Sequence, residues 1–315
     1  MVSMNPAAER GLQTSSETGG EDCDAGIFCD NIAIMTTDLA QPASSGLFHI
    51  AFYQFASLDD PDAVATQLRI LTKHLLGSIL VAPEGINGVL AGSISALDTF
   101  QKALVSDPVF GGKFACIVFK RSACKTAPFG RIKIHRKSEI VALGVPDACV
   151  KGKRSREAHV SPETWRSLIA QENVVVLDNR NGFEYRLGRF KGAVNPQVTH
   201  FRDFPEYVKT HAPQWKAAGK KVAMYCTGGI RCEKTGDWMH ELGLEVFQLD
   251  GGILNFFQAM PDAEKDWEGE CFVFDNRIAL DTRLEETDTT PEDVYKDEPD
   301  GEWRLQRARR LQEDD

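Results

Sequence analysis

The stretch that most constrains the fold is residues 221–242, where a short apolar run is followed by a glycine turn and then by a helical pattern. The run Val222–Tyr225 is typical of a buried strand. After Gly228 and Gly229, apolar residues recur at the period of one helix face: Trp238, Met239 and Leu242. This order predicts a strand, a glycine loop and a helix, which is a unit of an α/β domain.

Cys226 stands where the predicted strand ends, and Arg231 stands where the predicted helix begins. A thiol beside a helix N-terminus is expected to have a pKa below the ordinary value of about 8.5, because the helix dipole and free amides favour the thiolate. Arg231 adds a fixed positive charge with forked donors. We therefore predict Cys226 and Arg231 as catalytic residues. The loop that turns its amides toward the sulfur is expected to comprise Thr227, Gly228, Gly229, Ile230 and Cys232.

The spacing within this loop separates classes of cysteine enzyme. Four residues lie between Cys226 and Arg231, and this pattern resembles the rhodanese active site. Cysteine phosphatases use a similar loop with five residues between, so the shorter ring favours a sulfur atom or a persulfide over a phosphate. The alternative interpretation is a buried structural cysteine before a glycine turn.

The pattern of apolar runs predicts two domains of different class. Residues 47–143 read as β-α-β-β-α-β, a ferredoxin-like (acylphosphatase-like) α+β domain, with two of its strands expected at 114–119 and 131–135. Residues 161–275 alternate buried strands and helices, which predicts a rhodanese-like α/β domain with a parallel sheet. In such sheets, sites form at the carboxyl ends of the strands. We expect supporting residues there, with an ion pair between the first two: Asp178, Arg180 and Glu184.

The remaining segments lack core-forming patterns. Residues 1–46 are rich in Ser, Thr, Gly and acids and are expected to be disordered, and translation starting at Met35 is an alternative. Residues 144–160 form a predicted basic linker, and residues 276–315 are expected to form a mobile acidic tail. No apolar run approaches about 18 residues and no signal peptide is apparent, so we expect a cytoplasmic protein without a membrane span.

Charge is distributed unevenly along the chain. The whole sequence carries −10, whereas residues 113–156 carry +10. This polarisation predicts one basic face for a polyanion such as RNA, although a solvated strand face with a basic linker has the same composition. The candidate RNA-binding residues are Lys120, Arg121, Arg131, Lys133, Arg136 and Lys137.

The run from Cys226 to Lys234, Cys-Thr-Gly-Gly-Ile-Arg-Cys-Glu-Lys, resembles the signature of the tRNA uridine hydroxylases, a rhodanese-like family. Further stretches resemble family motifs in the same order: Pro83–Asn87, Pro128–Lys133, Asp178–Asn181, Gly251–Ile253 and Cys271–Asp275. The resemblance implies formation of 5-hydroxyuridine at the wobble position of tRNA with molecular oxygen as co-substrate. It also implies the anticodon loop of tRNA as partner. We infer no stable protein partner from the sequence.

The sequence itself contains no flavin, haem or two-His-one-carboxylate motif, so it identifies no cofactor and no electron donor. Longer relatives carry a cysteine-rich C-terminal segment, of which only Cys271 remains here, and no metal site is predicted. The alternative function is a rhodanese-type sulfurtransferase that works through a Cys226 persulfide. A non-catalytic rhodanese-like binding module is a second alternative, which the intact Cys226 and Arg231 disfavour.

Overall fold

The computed structural model describes residues 46–145, 148 and 158–313, with the side chains of 310–313 left aside. Nearly all of the predicted disordered extension, including Met35, lies outside the described residues. Most of the predicted basic linker, 144–160, lies outside them too.

The first domain has the predicted β-α-β-β-α-β order with one further strand. Its elements are β1 (Phe48–Phe55), α1 (Pro61–Leu71), β2 (Leu76–Ala82), β3 (Gly85–Gly92), α2 (Ile94–Ser106), β4 (Val118–Ala123) and β5 (Ile132–Arg136). Both helices begin at side-chain caps: Asp60 accepts from the amides of Asp62 and Ala63, and Ser93 accepts from Ala96. The sheet order is β4-β1-β3-β2-β5, with β5 parallel to β2 and the other pairs antiparallel. This confirms the ferredoxin-like α+β domain.

One predicted strand of this domain was misplaced. Residues 114–116 lie in turns that follow a short 3-10 helix, Pro108–Phe110, and the strand β4 begins only at Val118. Phe110 and Phe114 are still part of the core, where their ring centroids lie 5.5 Å apart. The apolar run that starts at Phe114 therefore includes residues that pack into the core from turns and not from a strand.

The second domain is a parallel α/β unit, as predicted. Its elements run β6 (His159–Val160), α3 (Pro162–Ile169), β7 (Val174–Asp178), α4 (Gly182–Leu187), β8 (Gly188–Phe190), α5 (Phe204–Ala217), β9 (Lys221–Tyr225), α6 (Ile230–Glu241), β10 (Val246–Leu249) and α7 (Gly252–Ala259). The four-stranded sheet has the order β6-β10-β9-β7, and all its pairs are parallel. The sheet includes His159 and Val160, which sequence analysis had placed in the linker.

The C-terminal segment is packed rather than mobile, so that expectation was wrong. The strands β11 (Trp267–Gly269), which pairs with β8, and β12 (Cys271–Phe272) come just before the predicted tail. The tail itself contributes β13 (Ala279–Leu280), which pairs with β12, and the helices α8 (Pro291–Tyr295) and α9 (Gly301–Glu313). Val294 and Tyr295 join Phe183 and Phe272 in an apolar cluster. Arg304 lies over the Phe183 ring at 4.6 Å and donates to the Thr199 carbonyl. A few apolar side chains thus anchor a segment whose composition is mainly acidic.

The two domains meet through the side of the first sheet that its helices leave uncovered. Along β1, Phe48, Ile50 and Phe52 face the helices, so the alternating residues His49 and Tyr53 face the second domain. The His49 ring is buried 6.4 Å from the ring of Phe129 and near Asp275 of the C-terminal segment.

The β2–β3 turn contacts the second domain through Lys234, and its neighbourhood also contacts Ile140 within the first domain. The Glu84 carboxylate pairs with Lys234 of α6 and accepts from the Ile140 amide at 2.8 Å. The Asn87 side chain donates to the Ile140 carbonyl at 3.1 Å. Glu139 also lies 3.5 Å from the Lys234 ammonium. Sequence analysis left this turn without a specific role, and the structure makes it an interdomain contact.

The buried His49 makes stability depend on pH. Burial lowers the pKa of His49 to about 3, with the Arg277 charge adding to the effect and Asp275 opposing it. Since the unfolded-state pKa is about 6.5, protonation favours the unfolded chain below that pH. The contribution is complete above pH 6.5 and is lost progressively as pH falls toward 3. Between pH 7 and pH 5 the loss from this group is about 2 kcal/mol.

We therefore expect His49→Leu to show a shallower decline of unfolding free energy from pH 7 to pH 5 than the natural chain. Urea unfolding followed by circular dichroism at several pH values measures this slope. The exposed His74 serves as the matched control, since His74→Leu should keep the original slope. Equal slopes for the natural chain and His49→Leu would contradict the assignment.

Candidate active site

The predicted strand, loop and helix around Cys226 are present. Strand β9 ends at Tyr225, the loop follows, and α6 begins at Ile230. Gly229 precedes the helix with φ of +103°, a backbone conformation that side chains rarely permit. The loop can therefore curl around the sulfur at the N-terminus of α6.

Hydrogen-bond donors surround the Cys226 sulfur. The Gly229 amide donates to Sγ at 3.2 Å, and the amides of Arg231 and Cys232 also donate to it. Burial raises the pKa of the Cys226 thiol, but the Cys232 thiol, the Arg231 charge and these amides outweigh burial. The resulting pKa lies well below its ordinary value, so the site favours the thiolate over the thiol.

The amides face the sulfur because neighbouring groups hold the loop carbonyls on the other side. The Cys226 carbonyl accepts from the Ile253 amide at 3.0 Å, and the Thr227 carbonyl accepts from the Leu254 amide at 3.2 Å. Both donors belong to the first turn of α7. Gly252 permits this approach, because a Cβ there would lie 2.5 Å from the Cys226 carbonyl oxygen.

Three hydrogen bonds hold the Arg231 side chain in place. Its guanidinium makes two hydrogen bonds to the Glu184 carboxylate, at 2.7 and 2.8 Å, and one to the Thr227 hydroxyl at 3.3 Å. Glu184 is fully buried, and burial raises the pKa of its carboxyl, but Arg231, Arg180 and the Asn181 amide together bring that pKa below its ordinary value. The structure thus brings the predicted supporting residue Glu184 into the site, where it fixes the arginine that stabilises the thiolate.

Asp178 and Arg180 form the predicted ion pair beneath the loop. Arg180 Nη2 lies 2.6 Å from Asp178, and neither side chain is exposed. The guanidinium stacks on the rings of Tyr225 and Trp267, each 5.5 Å away. The pair therefore supports the end of β9 from the core. The hydrogen bonds of the Arg180 side chain go to Asp178 and to the Gly188 carbonyl.

The Cys232 thiol donates a hydrogen bond to the Cys226 sulfur. Burial and the Cys226 thiolate raise the pKa of the Cys232 thiol well above its ordinary value. Neither Cys226 nor Cys232 forms a disulfide bond. The pKa values of the two thiols therefore shift in opposite directions, and the thiolate is favoured on Cys226.

The six candidate RNA-binding residues divide into three groups. Arg121 pairs with Asp98 of α2, and Arg136 pairs with Asp62 of α1 at 2.8 Å, so both are engaged by acids of the helices. Lys120 points in the opposite direction, to the Cys226 loop. Arg131, Lys133 and Lys137 lie on or beside the edge strand β5, and Arg131 and Lys137 are exposed.

Two residues of the first domain cover the loop: Tyr53, which was not predicted as a site residue, and Lys120, which was predicted to bind RNA. The Tyr53 hydroxyl donates to the Glu233 carboxylate at 2.8 Å and lies 3.0 Å from the position of a Cβ on Gly229. Lys120 donates to the carbonyls of Gly228 and Gly251. With this cover in place, Cys226 is 1% exposed. The alternation of β1 could have indicated which face Tyr53 occupies, but no local pattern indicates what that face meets.

In the described ranges 46–145, 148 and 158–313, no group of three or more His, Cys, Asp or Glu side chains is arranged to hold a metal ion. Across the same ranges, none of the helices has the length and apolar character required to cross a bilayer.

The fold and the loop define a rhodanese-type cysteine site joined to an acylphosphatase-like domain. A family model described as UPF0176 acylphosphatase like domain matches residues 48–140, and one described as Rhodanese-like domain matches residues 161–259. These matches agree with the two domains predicted from the sequence.

Relatives with the name tRNA uridine(34) hydroxylase align with most of the chain. The protein of Acinetobacter baumannii (strain AYE) is 43% identical over 249 residues, 78% of this chain and 76% of that protein. That of Legionella pneumophila (strain Corby) is 42% identical over 240 residues, covering 75% and 91%. That of Bradyrhizobium diazoefficiens is 42% identical over 241 residues, covering 76% and 93%. The chain belongs to the tRNA uridine(34) hydroxylase family.

The lowered pKa of the Cys226 thiol gives a testable dependence of Cys226 alkylation on pH. Cys226 should react with iodoacetamide with a midpoint below the ordinary thiol value of about 8.5, because only the thiolate is alkylated. Cys232→Ala removes a donor to that thiolate, so its midpoint should rise by about one pH unit. Peptide mass spectrometry resolves the alkylation of Cys226 from that of the other cysteines.

Cys271→Ala is the matched control, because Cys271 is also buried but lies outside the loop. Its profile for Cys226 should equal that of the natural chain. A Cys232→Ala midpoint that coincides with the natural one would show that Cys232 does not stabilise the thiolate.

Proposed function

We infer that this chain hydroxylates uridine 34 of tRNA and forms 5-hydroxyuridine. The observation that carries the inference is an amide-surrounded Cys226 thiolate in a chain about 42% identical to the named tRNA uridine(34) hydroxylases over three quarters of its length. The enzyme is an oxidoreductase that acts on tRNA. We place its action in the cytoplasm, with molecular oxygen as the source of the added hydroxyl.

Cys226 acts as the nucleophile in this proposal. Its thiolate adds to C6 of the uracil ring, and the electrons of the C5–C6 double bond move toward the C4 carbonyl to give an enolate. Carbon C5 becomes electron-rich and bonds to one oxygen atom of O2, while an external two-electron donor reduces the other atom to water. Loss of the C5 proton then restores the C5–C6 double bond and expels the Cys226 thiolate. Arg231 favours this step by holding Cys226 as a thiolate, while Glu184 and Thr227 keep the guanidinium in place.

The edge strand β5 is proposed to hold the anticodon arm. Arg131, Lys133 and Lys137 concentrate positive charge there, and RNA phosphates provide the matching negative charge. Strands about 4.8 Å apart put β5 roughly 19 Å from β4, where Lys120 meets the Cys226 loop. An RNA stem bound at this edge can extend its unpaired loop along the sheet toward Cys226. The unpaired target base spares the enzyme the cost of opening a base pair.

The role of Cys226 is tested by Cys226→Ser in cells that lack the natural gene. We expect 5-hydroxyuridine in tRNA to fall to the level of the deletion strain, as measured by mass spectrometry of tRNA nucleosides. Cys271→Ser is the matched control and should restore the modification. Full restoration by Cys226→Ser would exclude the sulfur from the reaction.

The natural chain and Cys226→Ser also test the alternative function. A rhodanese-type sulfurtransferase would convert cyanide and thiosulfate to thiocyanate through a Cys226 persulfide. The amide ring around Cys226 suits a persulfide as well as a thiolate. Thiocyanate formation without any 5-hydroxyuridine would favour that alternative over the hydroxylase.

The RNA surface is tested by the double reversal Arg131→Glu with Lys137→Glu. We expect weaker tRNA binding, and a plot of log K against log salt that is less steep by about 1 to 2. Fluorescence anisotropy at several salt concentrations measures both quantities. Arg69→Glu with Lys102→Glu, on the exposed surfaces of α1 and α2, makes the same charge change elsewhere on the domain. If both double variants lose the same affinity and slope, β5 is not the docking edge.

A further inference from the structure

Lys120 reaches from the first domain into the loop of the second. It lies on β4 opposite Ala51 of β1, on the sheet face that also carries His49 and Tyr53. Its ammonium donates to the Gly228 carbonyl at 2.6 Å and to the Gly251 carbonyl at 2.8 Å. These two carbonyls belong to the two turns that build the sulfur site.

The first of these hydrogen bonds fixes a peptide that also contacts the sulfur. A trans peptide is planar, so the carbonyl of Gly228 and the amide of Gly229 point in opposite directions. Lys120 binds the carbonyl end, and the amide end donates to Cys226 Sγ at 3.2 Å. The position of one ammonium thus determines the direction of one donor to the sulfur.

Side-chain packing does not fix this peptide. A Cβ placed on Gly228 would meet no heavy atom within 4 Å, and glycine backbones rotate with little steric restriction. The carbonyls of Cys226 and Thr227 are held by amides of α7, whereas the Gly228 carbonyl is held by Lys120. Removing Lys120 leaves this peptide free to turn its amide away from the sulfur.

The second hydrogen bond links the loop to the turn before α7. The Gly251 carbonyl lies just before the amides of Ile253 and Leu254, which bind the other two loop carbonyls. Lys120 therefore ties together both turns around Cys226. Burial lowers the pKa of Lys120, while the Cys226 thiolate, Asp250 and Glu233 oppose this effect.

We propose that Lys120 is a positioning residue for the hydroxylation, which holds the Gly228–Gly229 peptide with its amide directed at the Cys226 sulfur. The first domain then completes the catalytic loop of the second, in addition to any contact with RNA. The proposal rests on the proposed function only for its effect on turnover, because the state of the sulfur is measured separately.

Lys120→Met tests the proposal, since methionine has similar length and no donor. We expect the midpoint of Cys226 alkylation to rise by about one pH unit and 5-hydroxyuridine formation to fall at least about tenfold. Lys120→Arg keeps donors and should give a smaller rise in the midpoint. Lys102→Met, on the exposed surface of α2, is the matched control and should leave both quantities unchanged.

Tyr53→Phe separates this role from a general loosening of the domain contact. It removes the hydrogen bond to Glu233 but leaves the Lys120 hydrogen bonds, so the midpoint should stay within a few tenths of a unit of the natural value. A rise as large as that of Lys120→Met would overturn the proposal.

An unchanged midpoint in Lys120→Met would also overturn it, even if turnover falls, because Lys120 would then act on RNA or on folding. If the natural chain forms no 5-hydroxyuridine while the midpoint still rises in Lys120→Met, the positioning role stands and the proposed function fails.

Discussion

The reactivity of this protein depends on the orientation of a few peptide groups around one sulfur atom. An apolar site raises the pKa of a thiol, and Cys226 is almost completely buried. Hydrogen bonds from amides and from the Cys232 thiol, together with the charge of Arg231, reverse that effect. The amides point inward because the carbonyls of the same peptides are bound elsewhere, by α7 and by Lys120. The parallel sheet, the glycine turns and the domain contact all serve to hold these peptides.

The charged residues around the loop are connected by a chain of hydrogen bonds. Arg231 stabilises the thiolate, Glu184 holds Arg231 through two hydrogen bonds, and the Asn181 amide in turn donates to Glu184. Such buried ion pairs contribute little net stability when they are complete, but losing one partner leaves an uncompensated charge. The geometry of the loop is therefore coupled to α4, which lies far from Cys226 in the sequence.

Local patterns predicted much of the fold and the centre of the site. The strand, loop and helix around Cys226 depend on periodicity and glycine within about 20 residues, and the structure has them as expected. The contact between Lys120 and Gly228 joins residues 108 positions apart, and no local signal encodes such a pair. Lys120 was therefore interpreted as an RNA-binding residue from its charge alone.

Composition misled the analysis of the C-terminal segment for a related reason. Acidic residues dominate residues 276–315, but Val294 and Tyr295 suffice to anchor the segment against Phe183 and Phe272. Averages over a segment conceal such anchors, because burial is decided by single side chains and by the surface that they meet.

The near-complete cover over Cys226 has a consequence for the resting enzyme. A thiolate at neutral pH is the form of cysteine that peroxides and disulfides attack most readily. Here the first sheet, through Tyr53 and Lys120, covers that thiolate, so peroxides should react with it more slowly than with an exposed thiolate. The same contacts that lower the pKa of the Cys226 thiol thus also limit the exposure of its sulfur.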